Sequence, residues 1–206
     1  MKILVFDFET TGLIPSVPFL LSRKEILDEM PHAVQFAFSY LDTEADTLTD
    51  FNFYLKVPIP IENSNIHGVT KEMSDAGCDF ADAFPDFLEL YERCDKVVAH
   101  NIEFDVRILR IECFRRGIVL KLDESKRYCT MLEGAKNLGS KKWPKLGELY
   151  THLYGKTLLR LHDASVDVKA CLRCYGALTS TVVPSAETLN LNEDDDLAKA
   201  FEKLTL

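Results

Sequence analysis

The chain opens MKILVFDFETTG, and six of its first eight residues are apolar. A run that dense reads as an interior strand buried on both faces. Val34–Leu41 and Leu48–Val57 are rich in β-branched and aromatic residues. With the turn-forming Asp42–Asp46 between them, they predict a hairpin after the first strand. Pro58 and Pro60 end its second arm. Lys96–Ala99 (KVVA) reads as a short buried strand and Arg127–Met131 as a fifth. Phe80, Phe84, Phe87, Leu88 and Tyr91 recur at helical spacing, in a helix expected to begin or kink at Pro85. Asn101 stands where an N-cap is needed for a helix carrying Phe104, Ile108, Ile111 and Cys113, and Thr70 caps a short turn. Leu146–Tyr154 is a short helix closed by Gly155, and Val166–Leu178 a longer one with Val168, Cys171, Leu172 and Tyr175 on one face. The Pro-containing segment 14–31 predicts a loop with one helical turn around Ser22–Met30, and the end of the chain one terminal helix. Three strands followed by alternating strands and helices define an α/β fold, a mixed five-stranded sheet flanked by helices.

With 206 residues, 47% of them hydrophobic, the chain can bury one core. We expect a domain over residues 1–180 and an acidic tail over 181–206. No apolar run reaches the roughly 18 residues of a membrane span, so no membrane partner is expected, and the N-terminus lacks a signal-peptide pattern. Six cysteines without a secretory signal predict reduced thiols and an intracellular setting, cytoplasmic or nuclear. Cys171 and Cys174 form a lone CxxC inside a helical segment, which reads as core packing. Net charge is −9, yet residues 100–160 hold 13 Lys/Arg against 7 Asp/Glu. That balance suits a short contact with the end of a polyanion, and ordinary surface charge accounts for it equally well.

Asp7 and Glu9 interrupt the first strand. Side chains at i and i+2 share a face, so the two carboxylates stand together, and burying them unpaired is costly. Something cationic must meet them. Two further acids lie at the starts of predicted helices: Asp105 one turn after the KVVA strand, and Asp167 after His162. Taken singly, an acid in a first helical turn is more often a partner of the helix dipole. Together the four carry a charge of about −4, which two divalent ions offset, and hard oxygen donors favour Mg²⁺ or Mn²⁺. Two such ions about 3.5–4 Å apart can hold the attacking and leaving oxygens of a phosphoryl displacement. His162, in the loop before its helix, suits proton transfer.

Asp7-Phe-Glu-Thr-Thr-Gly, His100-Asn101 with Phe104-Asp105, and His162-x-Ala-x-x-Asp167 resemble the three signature motifs of the DEDDh exonucleases. That family includes the proofreading subunit of bacterial replicative DNA polymerase. The resemblance runs from residue 1 to about residue 178 in the family's motif order, with Ile66–Thr70 and Tyr128–Met131 as intermediate landmarks. It implies a ribonuclease-H-like fold and two Mg²⁺ or Mn²⁺ ions held by Asp7, Glu9, Asp105 and Asp167. It also implies His162 as the general base that activates water, and 3′–5′ release of nucleoside 5′-monophosphates from a single-stranded 3′ end of DNA or RNA. Thr10, Thr11, Gly12 and Leu13 would grip the terminal nucleotide, with Leu13 and Phe104 stacking on bases and His100 and Asn101 among the substrate contacts. The long segment between Gly12 and Pro31 departs from the shortest members and reads as a rim or a partner contact. Thr-Thr-Gly leans toward the DNA-proofreading kind, while RNA-trimming relatives share the same five catalytic residues. Proofreading would need a polymerase partner or act in trans; a second copy of the chain is the other partner implied.

Two different classes compete. Asp7-x-Glu9-x-Thr11 resembles the Asp-x-Asp-x-Thr of haloacid-dehalogenase-type phosphatases, but Glu9 is one methylene too long and only Asp194–Asp196 offers a downstream acidic pair. An inactive nucleic-acid-end binding module would be expected to lack one of the five catalytic residues, and all five are filled. Of the remaining histidines, His152 reads as a helix-surface or packing residue and His67 as ordering a turn. Lys141, Lys142 and Lys145 read first as a solvated basic loop, with phosphate contact as the sharper alternative.

Overall fold

A computed structural model of the chain describes residues 1–16 and 23–194. The first half runs β1 (Lys2–Thr10), α1 (Arg23–Glu29), β2 (Ala33–Asp42), β3 (Thr47–Tyr54), α2 (Ser64–His67), α3 (Lys71–Asp75) and α4 (Phe80–Arg93). The second runs β4 (Lys96–Ala99), α5 (Ile102–Arg115), β5 (Arg127–Cys129), α6 (Thr130–Asn137), α7 (Leu146–Tyr154), β6 (Thr157–Leu158), α8 (Ala164–Thr179) and β7 (Glu193–Asp194). The main sheet has the order β3-β2-β1-β4-β5. The β1–β2 and β2–β3 pairs are antiparallel and the β1–β4 and β4–β5 pairs parallel. This is the mixed five-stranded sheet expected from the chain's patterning.

β1 lies at the centre, and its alternation explains its dense apolar run. Leu4, Phe6 and Phe8 face one layer, with Phe36 and Phe38 of β2, Phe80, Phe84 and Phe87 of α4, and Val106 and Leu109 of α5. The rings stack in series, Phe8 on Phe36 at 4.3 Å and Phe36 against Phe87 at 5.3 Å. Ile3 and Val5 face the other layer, where Ala164, Val168, Cys171, Leu172 and Tyr175 of α8 cover them together with Ala37 and Val98. β1 is buried on both sides from Ile3 to Phe6, beyond which Asp7 and Glu9 continue the α8-facing row.

Three local expectations are corrected. α4 begins at Phe80, capped by Asp79, whose side chain accepts from the Ala81 N–H at 2.8 Å. Pro85 lies inside this helix, on its exposed side with Ala81, the residue whose carbonyl loses its partner to the ring. The fifth strand ends at Cys129, and Thr130 already belongs to α6. The Thr130 hydroxyl is buried there against the Ala99 carbonyl at 3.4 Å, a site that a solvent-facing strand residue would not fill. Asn101 precedes α5 in left-handed backbone (φ 69°, ψ 52°) and its side chain makes no capping bond. A short polar residue tolerates that conformation.

A buried ion network fixes the return from α1 to β2. Glu112 accepts from Arg115 at 2.7 Å, from Arg116 and from the Ala33 N–H at 3.0 Å. Arg115 in turn donates to the carbonyls of Leu27, Met30 and Pro31. The cysteines are free thiols, and Cys171 and Cys174 are buried in α8, where burial pushes the Cys174 thiol up to about 12. Past residue 180, Ala186, Leu189 and Leu191 pack against Leu149, Tyr150 and Leu158. The expected terminal helix, with Asp195 and Asp196, lies outside the described residues, as do residues 17–22 of the loop after Gly12. Among the described residues no helix is long and apolar enough to cross a membrane.

Candidate active site

Parallel pairing of β1 with β4 brings their C-terminal ends to one edge of the sheet, so the helix that follows β4 starts beside the end of β1. Asp105, in the first turn of α5, is 2% exposed, and its Oδ1 accepts from the Phe8 N–H at 3.3 Å. Asp167, in the first turn of α8, accepts from the His162 N–H at Oδ2, 3.2 Å away, while its buried Oδ1 has no partner. Ligand atoms of Glu9, His162 and Asp167 all lie within 4.8 Å of one another.

Burial raises all four carboxylates, and neighbouring acids add to the rise. Burial, reinforced by the charges of Asp105, Asp167 and Glu9, holds the Asp7 carboxyl well above its ordinary range. Burial and the nearby Asp167 and Asp163 push Glu9 up to about 8. Asp105 is raised by burial against the opposing bond from Phe8, with Glu9 and Asp167 adding to the rise. Asp167 rises to about 7 through burial, partly countered by the His162 N–H. Among the described residues none of the four is paired with a Lys or Arg. Acids that no Lys or Arg pairs among the described residues, with one orphaned buried carboxylate oxygen, fit hard divalent cations.

His162 is exposed in the loop before α8, in left-handed backbone (φ 70°). Asp163 caps α8, accepting from the Ser165 N–H and hydroxyl, and Gln35 donates to its Oδ1 at 3.0 Å. Gln35 was not singled out by the sequence reading, although it is the polar interruption of the apolar run AVQFAF, the same signal that exposed Asp7. Asn63, whose side chain donates to the Thr10 carbonyl at 2.8 Å, carried no such signal.

The turn after Glu9 is tightly built. The Thr10 hydroxyl donates to the Gly12 carbonyl at 2.7 Å. Thr11 exchanges two bonds with His32, its N–H donating to the His32 carbonyl and its hydroxyl accepting from the His32 N–H. Gly12 has nothing within 4 Å of where a Cβ would stand, and Leu13 is 85% exposed. Phe104 packs partly against the core beside Asp105, and Asn101 is exposed. His100, expected among the substrate contacts, spends both ring nitrogens inside the protein: Nδ1 meets the Thr130 hydroxyl and Nε2 the Pro144 carbonyl, each at 3.0 Å. Burial lowers it to about 4, so the neutral ring donates from Nε2 and accepts at Nδ1. His67 is buried and orders its turn by accepting from the Val69 N–H at 3.1 Å. A cavity of about 530 Å³ opens beside the acids, between the start of α7 and the His162 loop, and Lys145, Leu161, His162 and Asp167 are among its walls.

Residues 4–175 match the exonuclease (RNase T) family, and the chain belongs to it. It is 31% identical over 136 residues to the PolC-type DNA polymerase III of Thermotoga petrophila, and 33% identical over 134 residues to that of Thermotoga maritima. Each match covers 65% of this chain and 9% of the polymerase, so the chain spans about a tenth of those relatives. Its fold is similar to the nuclease domain of 3′hExo, described as a DEDDh family member bound to rAMP: TM-score 0.63, 15% identity, covering 94% of this chain and 96% of that one. It is also similar to cell-death related nuclease 4 (CRN-4): TM-score 0.58, 17% identity, covering 93% and 65%. The DEDDh-type assignment and the ribonuclease-H-like fold drawn from the three motifs are thus both borne out.

Proposed function

We propose that this protein is a 3′–5′ exonuclease that hydrolyses the terminal phosphodiester of single-stranded DNA with two Mg²⁺ or Mn²⁺ ions and releases nucleoside 5′-monophosphates. The observation that carries the proposal is the convergence of acids from three separate elements: ligand atoms of Glu9, His162 and Asp167 lie within 4.8 Å of one another, and Asp105 accepts from the N–H of Phe8, the residue between Asp7 and Glu9. These carboxylates would hold the ions, which when bound supply charge neutralisation and Lewis acidity to the phosphodiester.

The chain's own groups do the rest. His162 takes the proton of the attacking water and returns it to solvent, a role suited to an exposed imidazole whose backbone alone is tied to Asp167. The turn from Thr10 to Leu13 receives the terminal nucleotide: Gly12 leaves room for close approach, and the exposed Leu13 offers an apolar face to a base. A base laid on such a face is accepted whatever its identity.

DNA is favoured by the likeness to two DNA polymerases at above 30% identity. By the same likeness a replicative polymerase is the partner we assign. An RNA substrate is the second reading, supported by the rAMP bound to 3′hExo and by the histone mRNA stem-loop recognised by a related 3′-exonuclease. The test is Mg²⁺-dependent release of mononucleotides from 3′-labelled single-stranded DNA, from a duplex with a mismatched 3′ end, and from RNA, under one set of conditions. Single-stranded DNA is expected to be degraded at least as fast as the others. Strong RNA preference would overturn the substrate while leaving the chemistry, and metal-independent binding without any release would overturn the activity.

A further inference from the structure

Residues 138–145 join α6 to α7 and contain Lys141-Lys142-Trp143-Pro144-Lys145. Trp143 is the chain's single tryptophan, and folding leaves it 62% exposed. Among the described residues no ring stacks on it and no cation lies over it. Lys142 reaches Glu148 at 3.5 Å with both groups largely in water, a pairing worth little. Lys141 and Lys145 have no carboxylate at ion-pair distance among the described residues. A bare indole between two unpaired ammonium groups, in a protein of net charge −9, is a feature the core does not need.

The loop is also fixed. Pro144 is buried and its carbonyl takes the Nε2–H of His100 at 3.0 Å, while the other ring nitrogen of His100 is held by Thr130. The Ser140 hydroxyl accepts from the Lys142 N–H and donates to the Lys142 carbonyl, both at 3.0 Å, and Glu148 accepts from the Lys145 N–H at 2.9 Å. His100 directly follows the strand that leads into Asp105, and Lys145 walls the same cavity as His162 and Asp167. The backbone on either side of Trp143 is therefore held in place next to that cavity.

We propose that this loop is a platform for the unpaired strand behind the 3′ end, with Trp143 stacking on one base and Lys141 and Lys145 on the flanking phosphates. The proposal rests on the exonuclease reading and deepens it by giving the substrate a second contact away from the scissile bond. An indole face stacks on any unpaired base but reaches none inside a duplex, so the platform selects single strands without reading sequence. His100, on this account, is the positioning residue that carries the platform.

Because Trp143 is the only tryptophan, its emission reports the platform alone. Asp7→Asn protein in Mg²⁺ is titrated with an oligothymidylate of roughly 12 nucleotides, the length scale of single-strand sites, and separately with thymidine 5′-monophosphate and polyglutamate. We expect saturable quenching by the oligonucleotide, weakened by salt, and none by the mononucleotide. In the active enzyme, Trp143→Ala is expected to raise KM for the oligonucleotide about tenfold, with Trp143→Phe recovering most of it. Emission blind to an oligonucleotide that the enzyme degrades, or a Trp143→Ala KM within about twofold of wild type, overturns the platform. Equal quenching by polyglutamate overturns its assignment to nucleic acid. If wild type degrades no polynucleotide, the nuclease reading falls separately; quenching by the oligonucleotide would still support the platform and its absence would end it.

Discussion

Gln35 and Asp163 lie 128 positions apart and meet at 3.0 Å, the Gln35 amide donating to the Asp163 carboxylate. The same amide accepts from the Ala164 N–H at 3.2 Å and donates to the Asn52 side chain at 2.9 Å. Gln35 is 1% exposed and sits opposite Glu9 in the β1–β2 ladder. One buried side chain on β2, the strand paired with that of Glu9, thus ties the sheet to the helix that carries Asp167. Gln35→Leu strands three polar partners and should cost about 1–3 kcal/mol of stability. Shifting Asp167 by even a fraction of an ångström should also lower kcat by roughly tenfold to a hundredfold. Thermal melting and a Mg²⁺ titration of the rate check this; melting that falls while the rate and its metal dependence stay unchanged would separate Gln35 from the site.

Neutralising one acid should abolish turnover and stabilise the metal-free fold. Asp7→Asn and Asp167→Asn each remove a buried carboxyl, and the charge of Asp167 is among those that raise Asp7. A carboxyl raised on folding stabilises the protein below its unfolded value, roughly pH 4, and loses that contribution as pH climbs through the folded value. With Asp167 near 7 and Glu9 near 8, the metal-free wild type should lose this stability between about pH 4 and pH 8. His100, lowered to about 4, works in the opposite sense as pH falls below its unfolded value, so comparison with Asp7→Asn isolates the acids. Scanning calorimetry with and without Mg²⁺ should show the larger metal-induced rise at about pH 8, where the pocket is ionised. Equal rises at acidic and alkaline pH would contradict the metal-site reading.

Loss of the imidazole should be felt in the rate and not in the fold. His162→Ala is expected to reduce kcat by roughly 10²–10⁴, the usual worth of a general base, with melting unchanged because the ring is exposed. A pH–rate profile for the variant that keeps every inflection of the wild type would remove His162 from proton transfer.

Glu112 is the counter-case, a buried acid whose partners are all in place. Its side chain is 3% exposed between Arg115 and Arg116 and also holds the Ala33 N–H. Glu112→Ala leaves the Arg115 guanidinium without a carboxylate, Arg116 keeping Asp79 at 2.7 Å, and should destabilise by about 3–5 kcal/mol. Denaturant unfolding measures it, and no divalent ion should rescue the loss.

The frame of the molecule was legible wherever periodicity was strong. The central strand, the hairpin and α8 carry patterns that tertiary packing reinforces on both faces. The metal-binding candidates were legible for a related reason, since a carboxylate inside an apolar strand has few structural excuses. What escaped was set by partners remote in sequence. Thr130 begins a helix with its buried hydroxyl donating to His100, and nothing in Tyr-Cys-Thr-Met announces that partner. Asn101 was expected to cap by its side chain and instead contributes left-handed backbone. His100 resembled a substrate contact because it adjoins Asn101, whereas its partner Pro144 lies 44 residues on.

The layering of α8 over β1 also orders events during synthesis. β1 leaves the ribosome first, and the hairpin can pair with it at once, being local in sequence. The apolar row of Ile3, Val5, Ala37 and Val98 then stays bare until residues 164–175 emerge to cover it. Until then the nascent chain offers that row to chaperones or to neighbouring chains. Over the same interval Asp7 and Glu9 lack Asp167, so the proposed set of acids stays incomplete until α8 docks.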